Sequence, residues 1–191
     1  MTEYQYAYRL GWRSLRTVCP NLTEAQAKAR AMELAPAMVK FNITNRRRAA
    51  MFIAQLAHES LQFHYREEIA SGSAYEGRRD LGNTQVGDGK RFKGRSYIQI
   101  TGRKNYTAVS HALGVDFVKF PARLAEPKYA ALAAAWWWHE NGLNGIADTR
   151  SVTAATKRIN GGYNGLADRR KYYAKAMAVS SFLVPKRRSP E

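Results

Sequence analysis

A carboxylic acid stands in a helical pattern where a buried apolar side chain would be expected. Residues 46–60 carry the clearest helical pattern in the chain, and Phe52, Leu56 and Glu59 share one face of it. Burying an ionised carboxylate among apolar neighbours costs free energy, so Glu59 should keep its proton unless a cation neutralises it. A carboxyl group that keeps its proton can act as a general acid. The commoner arrangement is a helix-end Glu that faces solvent or pairs with Arg.

The second carboxylate of interest is Glu68, nine residues after Glu59. In an unbroken helix the two groups would lie on opposite faces, ~13.5 Å apart along the axis. The small residues and glycines that follow Glu68 indicate that the chain turns there instead. Two carboxylates separated by ~6.5–9.5 Å can hydrolyse a glycosidic bond with inversion, one as acid and one as base. Spacing alone leaves Glu67 and Glu76 open as alternatives to Glu68.

The elements that must position these groups are mostly helical. Residues 67–95 are glycine-rich and predict an ordered loop region, and the alternation after residue 95 favours a short strand or extended piece. Thr23 is a typical N-cap, and Pro36 should bend or end the helix that follows it. We predict helices over residues 24–40, 46–60, 121–139, 153–159 and 166–183. The fold class is therefore mostly α.

Composition and charge narrow the class of protein. The chain has 191 residues, 45% hydrophobic, with 31 Lys and Arg against 15 Asp and Glu, which gives a net charge of +16. This composition excludes global disorder, and the charge favours polyanions such as nucleic acid, anionic membrane or bacterial wall polymers. The single Cys19 excludes an internal disulfide and is expected in the core. We find no apolar run of ~18 residues and no secretory signal, so we expect synthesis in the cytoplasm.

Three separated motifs, AQLAHES, GDGKRFKGRSYIQITGRKNY and RINGGYNGLADR, resemble glycoside hydrolase family 19 in their order from about residue 40 to 180. The resemblance is closest to phage-type endolysins of that family and more distant to its chitinases. It implies a mostly α-helical, lysozyme-like fold with two lobes, a deep cleft and at most a small β element. The sequence shows no linker to a second module, so we expect one catalytic domain over residues 1–191, with a basic tail at about 185–191 and no separate wall-binding module. Hydrolysis of a β-1,4 linkage by inversion, without metal or other cofactor, is the implied chemistry.

The resemblance also assigns roles to individual residues. It makes Glu59 the general acid and Glu68, nine residues on, the general base. Gln99 would contact sugar or shape the cleft, and the hydroxyl of Thr101 would help to hold the catalytic water. Tyr97 would form part of the cleft wall, where it would stack on a sugar or hydrogen-bond to it.

Two further positions match the third motif. Asn160 matches an Asn that binds the acetamido sugar, and Arg169 matches an Arg that supports the carboxylate network. The chain departs from the family at Ser96, where the family usually has Gly. That departure should add a side chain beside the cleft and alter local substrate contacts.

Each of these residues also has a plain structural interpretation. Gln99 and Thr101 would more often pair strands, and residues 160–162 would more often form a simple turn. The Trp triplet at 136–138 should mostly pack in the core. His58 and His64 do not have the HExxH spacing of a zinc site, so no metal is expected. Each residue alone fits such a structural role. The assignment of the site residues therefore depends on the three motifs occurring together and in order.

The charge favours peptidoglycan as the substrate, because chitin is uncharged and peptidoglycan carries peptide carboxylates. A chitinase acting on N-acetylglucosamine polymers is the alternative. We expect a monomer that reaches the wall through a membrane-permeabilising partner such as a holin, with the anionic outer-membrane surface as a further contact. No nucleic acid partner is expected, although the basic runs at 46–48 and 186–188 would suit one. A basic amphipathic segment that disrupts membranes is a further alternative and could coexist with catalysis.

Overall fold

The computed structural model describes residues 8–187, which form two compact units. The first unit comprises residues 8–64 and 138–187, and the second comprises residues 65–137. The helices are α1 (Trp12–Val18), α2 (Glu24–Lys40), α3 (Arg46–Glu59), α4 (Asp88–Arg91), α5 (Arg103–Leu113), α6 (Pro127–Glu140), α7 (Leu143–Asp148), α8 (Val152–Asn160), α9 (Leu166–Ala178) and α10 (Ser180–Leu183). Short 3-10 turns lie at Ser73–Tyr75, Arg79–Leu81 and Pro121–Ala125.

The β structure of the described residues is small. Strand β1 (Tyr8–Arg9) pairs antiparallel with β2 (Lys186–Arg187) in the first unit, and Arg95 forms isolated bridges in the second. The prediction of a mostly α fold with at most a small β element is confirmed. Residues 186 and 187 of the predicted basic tail are thus paired, while residues 188–191 lie outside the described residues. Along 8–187, no helix combines the length and apolar composition of a membrane span.

Helix α3 is the core of the first unit. Asn45 caps its start by accepting a hydrogen bond from the backbone N–H of Arg48. Every residue from 49 to 57 is buried, because α9, α7, α8 and α10 pack around this helix. Phe52 meets Trp138 edge-to-face at 5.3 Å between ring centroids, and the Trp138 indole donates to Asn144. The predicted packing role is confirmed for Trp138.

Helix α2 begins as the sequence predicts. Thr23 and Gln26 form a reciprocal capping box, which satisfies two backbone N–H groups at the helix start. Pro36 does not end the helix, which continues to Lys40 with Pro36 buried inside it. Cys19, between α1 and α2, is buried as predicted, and burial raises the pKa of its thiol to about 12.

The second unit is built on loops held by buried polar groups. Asp88 is only 1% exposed and accepts hydrogen bonds from the guanidinium of Arg103 and the backbone of Gln85. These contacts tie the start of α4 to the start of α5, above a ring contact between Phe92 and Tyr106 at 5.1 Å. The prediction of an ordered loop over residues 67–95 agrees with these contacts.

The predicted strand after residue 95 is wrong. Ser96 and Gln99 both have left-handed backbone, with φ of 75° and 56°, and the backbone N–H of Ile100 donates back to the carbonyl of Arg95. Residues 95–100 therefore form a tight turn that leads into α5. Apolar alternation in the sequence gives no sign of left-handed backbone, so it cannot distinguish such a turn from a short strand.

Candidate active site

Glu59 is the last residue of α3, and the chain turns sharply after it. The hydroxyl of Ser60 donates to the carbonyl of Leu56 and accepts from the backbone N–H of Phe63. The three residues 61–63 then all have left-handed backbone, with φ between 49° and 62°. Such backbone costs roughly 1–2 kcal/mol per residue for an L-amino acid, so surrounding contacts must hold it in place.

The contacts that hold this turn come from the first unit itself. Gln62 accepts a hydrogen bond from the backbone N–H of Asn21 at 3.0 Å, and the guanidinium of Arg30 donates to the carbonyl of Phe63 at 3.1 Å. Phe63 is fully buried. The end of the acid-bearing helix is therefore fixed by both α2 and the segment before it.

A buried guanidinium faces Glu59. The Arg169 side chain is 1% exposed and donates one hydrogen bond to Glu59 Oε1 and another to Gln55 Oε1, the latter at 2.5 Å. Gln55 lies four residues before Glu59 on α3, so both acceptors occupy the same helix face. The cation that the sequence left open is thus present, and Glu59 lies against Arg169 instead of in a purely apolar niche. Its own side chain keeps 19% of its surface exposed.

A second polar contact lies beside the first. His58 Nδ1 is 2.7 Å from Asp168 Oδ2, so adjacent residues of α3 meet adjacent residues of α9 in two pairs. The His58 ring also packs against Gly165, where an added Cβ would lie 2.3 Å from the imidazole. Only glycine fits at this position, which also has a φ of 71°.

In the second unit, one oxygen of Glu68 has no hydrogen-bond partner among residues 8–187. Tyr75 donates from its hydroxyl to Glu68 Oε2 at 2.9 Å, whereas Glu68 Oε1 is buried and accepts no hydrogen bond. Partial burial and the bond to Glu68 raise the pKa of Tyr75, so its hydroxyl stays a donor at neutral pH. A buried carboxylate oxygen without a donor costs free energy and is typical of a functional group or a water site.

The alternative carboxylates are already engaged by groups of the second unit. Glu67 pairs with Lys93 at 2.7 Å and Arg95 at 3.0 Å. Although partial burial opposes the shift, these two hydrogen bonds lower the pKa of Glu67 below its usual range. Glu76 accepts from the backbone N–H groups of Gly87 and Gly89, at 2.6 and 2.8 Å. The geometry therefore favours Glu68 among the three as a base.

Gln99 and Thr101 lie with Glu68 around the backbone of Gly94. A Cβ added at Gly94 would lie 2.6 Å from Gln99 Oε1, 3.2 Å from Glu68 Oε2 and 3.3 Å from Thr101 Oγ1. The Thr101 hydroxyl donates to the carbonyl of Gln99. The structure thus brings together three of the predicted site residues within the second unit.

The expectation for Ser96 and the stacking role expected of Tyr97 are wrong, whereas a hydrogen-bonding role of Tyr97 stays a prediction. Tyr97 is fully buried, so its ring has no free face to stack on a sugar. The Ser96 side chain does not line a binding surface either, because the residue is fully buried and its hydroxyl donates to the carbonyl of Ala130 at 2.8 Å. The left-handed φ of Ser96 explains why glycine is the usual residue here, and the hydrogen bond offsets the strain of a serine.

Asn160 is the exposed last residue of α8 in the first unit. Gly161, at φ 76°, ends the helix after it, as the glycine-rich sequence indicates. The sugar contact predicted for Asn160 remains a prediction. Arg169 lies against Glu59, as a residue that supports the carboxylate would.

Comparison with known proteins finds sequence relatives of this chain. The chain is 29% identical to a glycosyl hydrolase family 19 domain-containing protein of Haemophilus influenzae, over 74% of this chain and 84% of that protein. It is 39% identical to an endochitinase of Arabidopsis thaliana, over 66% of this chain but only 43% of the endochitinase. No family model matches the chain.

The chain is similar in sequence to proteins of glycoside hydrolase family 19 and to endochitinases. Its fold is that of this family: chitinase C from Streptomyces griseus matches with a TM-score of 0.73 at 20% identity, over 90% of this chain and 92% of that one. A class IV chitinase of Zea mays matches with a TM-score of 0.65 at 22% identity, over 89% and 90% of the two chains. The protein is thus a glycoside hydrolase with a mostly α, lysozyme-like fold.

Sequence reasoning missed several residues that support the site. Gln55 could have been found, since a polar residue four positions before a buried acid is a candidate partner. The pairing of His58 with Asp168 has no local signal, because 110 residues separate the two. Tyr75 lies seven residues after Glu68, but that stretch forms no α-helix, so helix periodicity does not predict their contact.

We predict different effects for two substitutions at Ser96. Ser96→Ala should lower the free energy of unfolding by about 1 kcal/mol, because the bond to Ala130 is lost while the left-handed strain remains. Ser96→Gly should be close to neutral, because relief of the strain offsets the lost bond. Urea denaturation measures both, and equal stability of Ser96→Ala and the wild type would contradict the interpretation.

Proposed function

We propose that this glycoside hydrolase cleaves β-1,4 bonds in the glycan strand of bacterial peptidoglycan, with Glu59 as general acid and Glu68 as general base. The observation that carries the catalytic assignment is the buried, unpartnered Oε1 of Glu68, next to a second oxygen fixed by Tyr75. A base needs a free lone pair in a fixed direction, and this carboxylate offers one. Glu67 and Glu76 do not, because protein donors occupy their oxygens.

In the proposed reaction Glu59 must start protonated, despite the guanidinium of Arg169 beside it, and it donates that proton to the oxygen of the leaving sugar. The carboxylate that remains is stabilised by the guanidinium of Arg169, which also fixes the orientation of the acid. Glu68 Oε1 takes a proton from water as that water attacks the anomeric carbon. Because water attacks directly from the opposite face, the configuration at that carbon inverts and no covalent intermediate forms.

Thr101 and Gln99 support the water in this proposal. Their oxygens and a Glu68 oxygen surround the same backbone position at Gly94. The Thr101 hydroxyl can turn from the carbonyl of Gln99 to a water, since its present bond at 3.1 Å is long for a hydroxyl donor. A water held by both groups would have its lone pairs directed by the protein before the reaction begins.

Charge supports peptidoglycan as the substrate. A net charge of +16 gains nothing from uncharged chitin, whereas wall polymers carry carboxylates and phosphates. The run at 46–48 is not all available to nucleic acid, because Arg48 pairs with Asp148 at 2.6 Å and Arg47 donates to the carbonyl of the same residue. We also propose that the enzyme acts as a monomer, is made in the cytoplasm and reaches the wall through a holin-type partner, with anionic outer membrane as a further contact.

Chitin hydrolysis is the second candidate. Endochitinases of Arabidopsis thaliana and Zea mays are among the relatives, although this chain spans less than half the length of each. Both substrates are β-1,4 polymers of N-acetylated aminosugars, so one pair of carboxylates serves either. The two candidates therefore differ in substrate binding and not in chemistry.

We predict that Glu59→Gln and Glu68→Gln each lower kcat by about 10²-fold or more, because each removes one proton-transfer group. Glu76→Gln is the matched control, since its amide oxygen can still accept a backbone hydrogen bond, and it should keep most of the activity. Turnover on purified peptidoglycan, measured as new reducing ends, gives the rates. Wild-type turnover of Glu59→Gln would exclude the acid assignment, and loss in Glu76→Gln with retention in Glu68→Gln would move the base to Glu76.

We predict that the purified protein clears Gram-negative cells whose outer membrane has been permeabilised, and that Glu59→Gln does not. Turbidity of the suspension measures the clearing, and colloidal chitin assayed in parallel measures the alternative. Clearing should weaken as salt is raised, because exposed cationic charge is screened. Release of sugars from chitin without any clearing of cells would instead favour the chitinase.

A further inference from the structure

The loop between α8 and α9 presents an exposed aromatic ring. Residues 161–165 connect the two helices in the first unit, and Tyr163 in their middle is 56% exposed. An exposed tyrosine alone is common and carries no information. The position of this one is informative because of how the two ends of the loop are held.

Both ends of the loop are fixed at residues already assigned to the site. The loop begins directly after Asn160, with Gly161 in left-handed backbone. It ends at Gly165, whose α-carbon is in contact with the ring of His58, the neighbour of Glu59. The backbone N–H of Leu166 donates to the carbonyl of Tyr163 at 3.1 Å, which closes the turn around the tyrosine.

These contacts limit the distance between Tyr163 and the acid. Consecutive α-carbons are ~3.8 Å apart, so the α-carbon of Tyr163 lies within ~7.6 Å of that of Gly165. Gly165 in turn touches the residue next to Glu59, and the pair between His58 and Asp168 holds that contact in place. The backbone that carries the ring is therefore tied to the residue next to the acid.

We propose that Tyr163 is the aromatic platform of a sugar subsite in the first unit, which binds a pyranose ring of an N-acetylated aminosugar polymer. One face of such a ring carries several axial C–H groups, which pack on the negative face of an aromatic ring. Tyrosine suits this role because it is rigid and amphipathic, so little conformational entropy is lost when sugar binds. Asn160, at the start of the same loop, adds an amide for the acetamido group. The proposal rests on the function proposed above for the identity of the polymer.

The test measures sugar binding without turnover. In a Glu59→Gln background, isothermal titration calorimetry with a β-1,4-linked N-acetylglucosamine hexamer and with amidase-released glycan strands gives Kd for each probe. Tyr163→Ala should weaken binding of the bound probe about tenfold, and Tyr163→Phe, which keeps the ring, should stay within about twofold. Phe182→Ala removes an aromatic ring of the same unit that is 61% exposed, and it should leave Kd unchanged.

Three results would overturn the subsite. They are an unchanged Kd in Tyr163→Ala, an equal loss in Phe182→Ala, and a loss in Tyr163→Phe as large as in Tyr163→Ala, which would indicate a role for the hydroxyl alone. Thermal unfolding of each variant excludes loss of fold as the cause.

The two proposals fail separately in this design. Hydrolysis by the enzyme with an unchanged Kd in Tyr163→Ala overturns the subsite alone. If binding depends on Tyr163 but the enzyme with Glu59 intact hydrolyses neither glycan, only the proposed function is overturned. Failure of both probes to bind overturns both. In the active enzyme Tyr163→Ala should raise KM with little change in kcat, since the ring contacts a sugar away from the reacting atoms.

Discussion

The interaction on which the first unit depends is the ion pair between Arg169 and Glu59. A guanidinium with 1% exposure must have acceptors, because an unpaired buried charge costs several kcal/mol. Both of its acceptors, Glu59 and Gln55, lie on α3, so the pair fixes the register of α9 against the most buried helix of the protein. The neighbouring pair of His58 and Asp168 repeats the constraint one residue away. The same contacts therefore orient the acid and hold α9 against α3 in the core.

In the second unit, the important feature is a carboxylate oxygen of Glu68 that no described protein group binds. Unsatisfied buried oxygens are rare because they cost free energy, and folded proteins normally supply a donor. Here Tyr75 satisfies one oxygen of Glu68 and leaves the other open, while the adjacent Glu67 is neutralised by two cations. The two neighbouring residues thus have different roles: Glu67 stabilises the loops, and Glu68 is available for chemistry. This division supports the proposed base better than spacing along the sequence does.

The helices and the position of the candidate acid could be predicted from the sequence because their signals are local. The Thr23 cap and the periodic face of Phe52, Leu56 and Glu59 follow from contacts three or four residues apart, and the structure has both. The turn at 95–100 was mistaken for a strand because left-handed backbone at a serine and a glutamine leaves no trace in apolar spacing. Tyr97 looked like a binding residue for the same reason, since its burial depends on chain that is distant in sequence. The motifs indicated the family by resemblance, whereas the partners of Glu59 and Glu68 could be identified only from contacts in the structure.

The central claim is that Glu59 and Glu68 act as acid and base in a single displacement. The configuration of the newly formed reducing end tests it most directly, because it reports the reaction path without any mutation. Proton NMR of a soluble β-1,4-linked N-acetylated oligosaccharide, recorded within the first minutes of hydrolysis and before mutarotation, shows that configuration. The account predicts that the α-anomer appears first and the β-anomer grows in only afterwards. Initial formation of the β-anomer would contradict it, because retention requires a nucleophile or another covalent intermediate in place of a base-activated water.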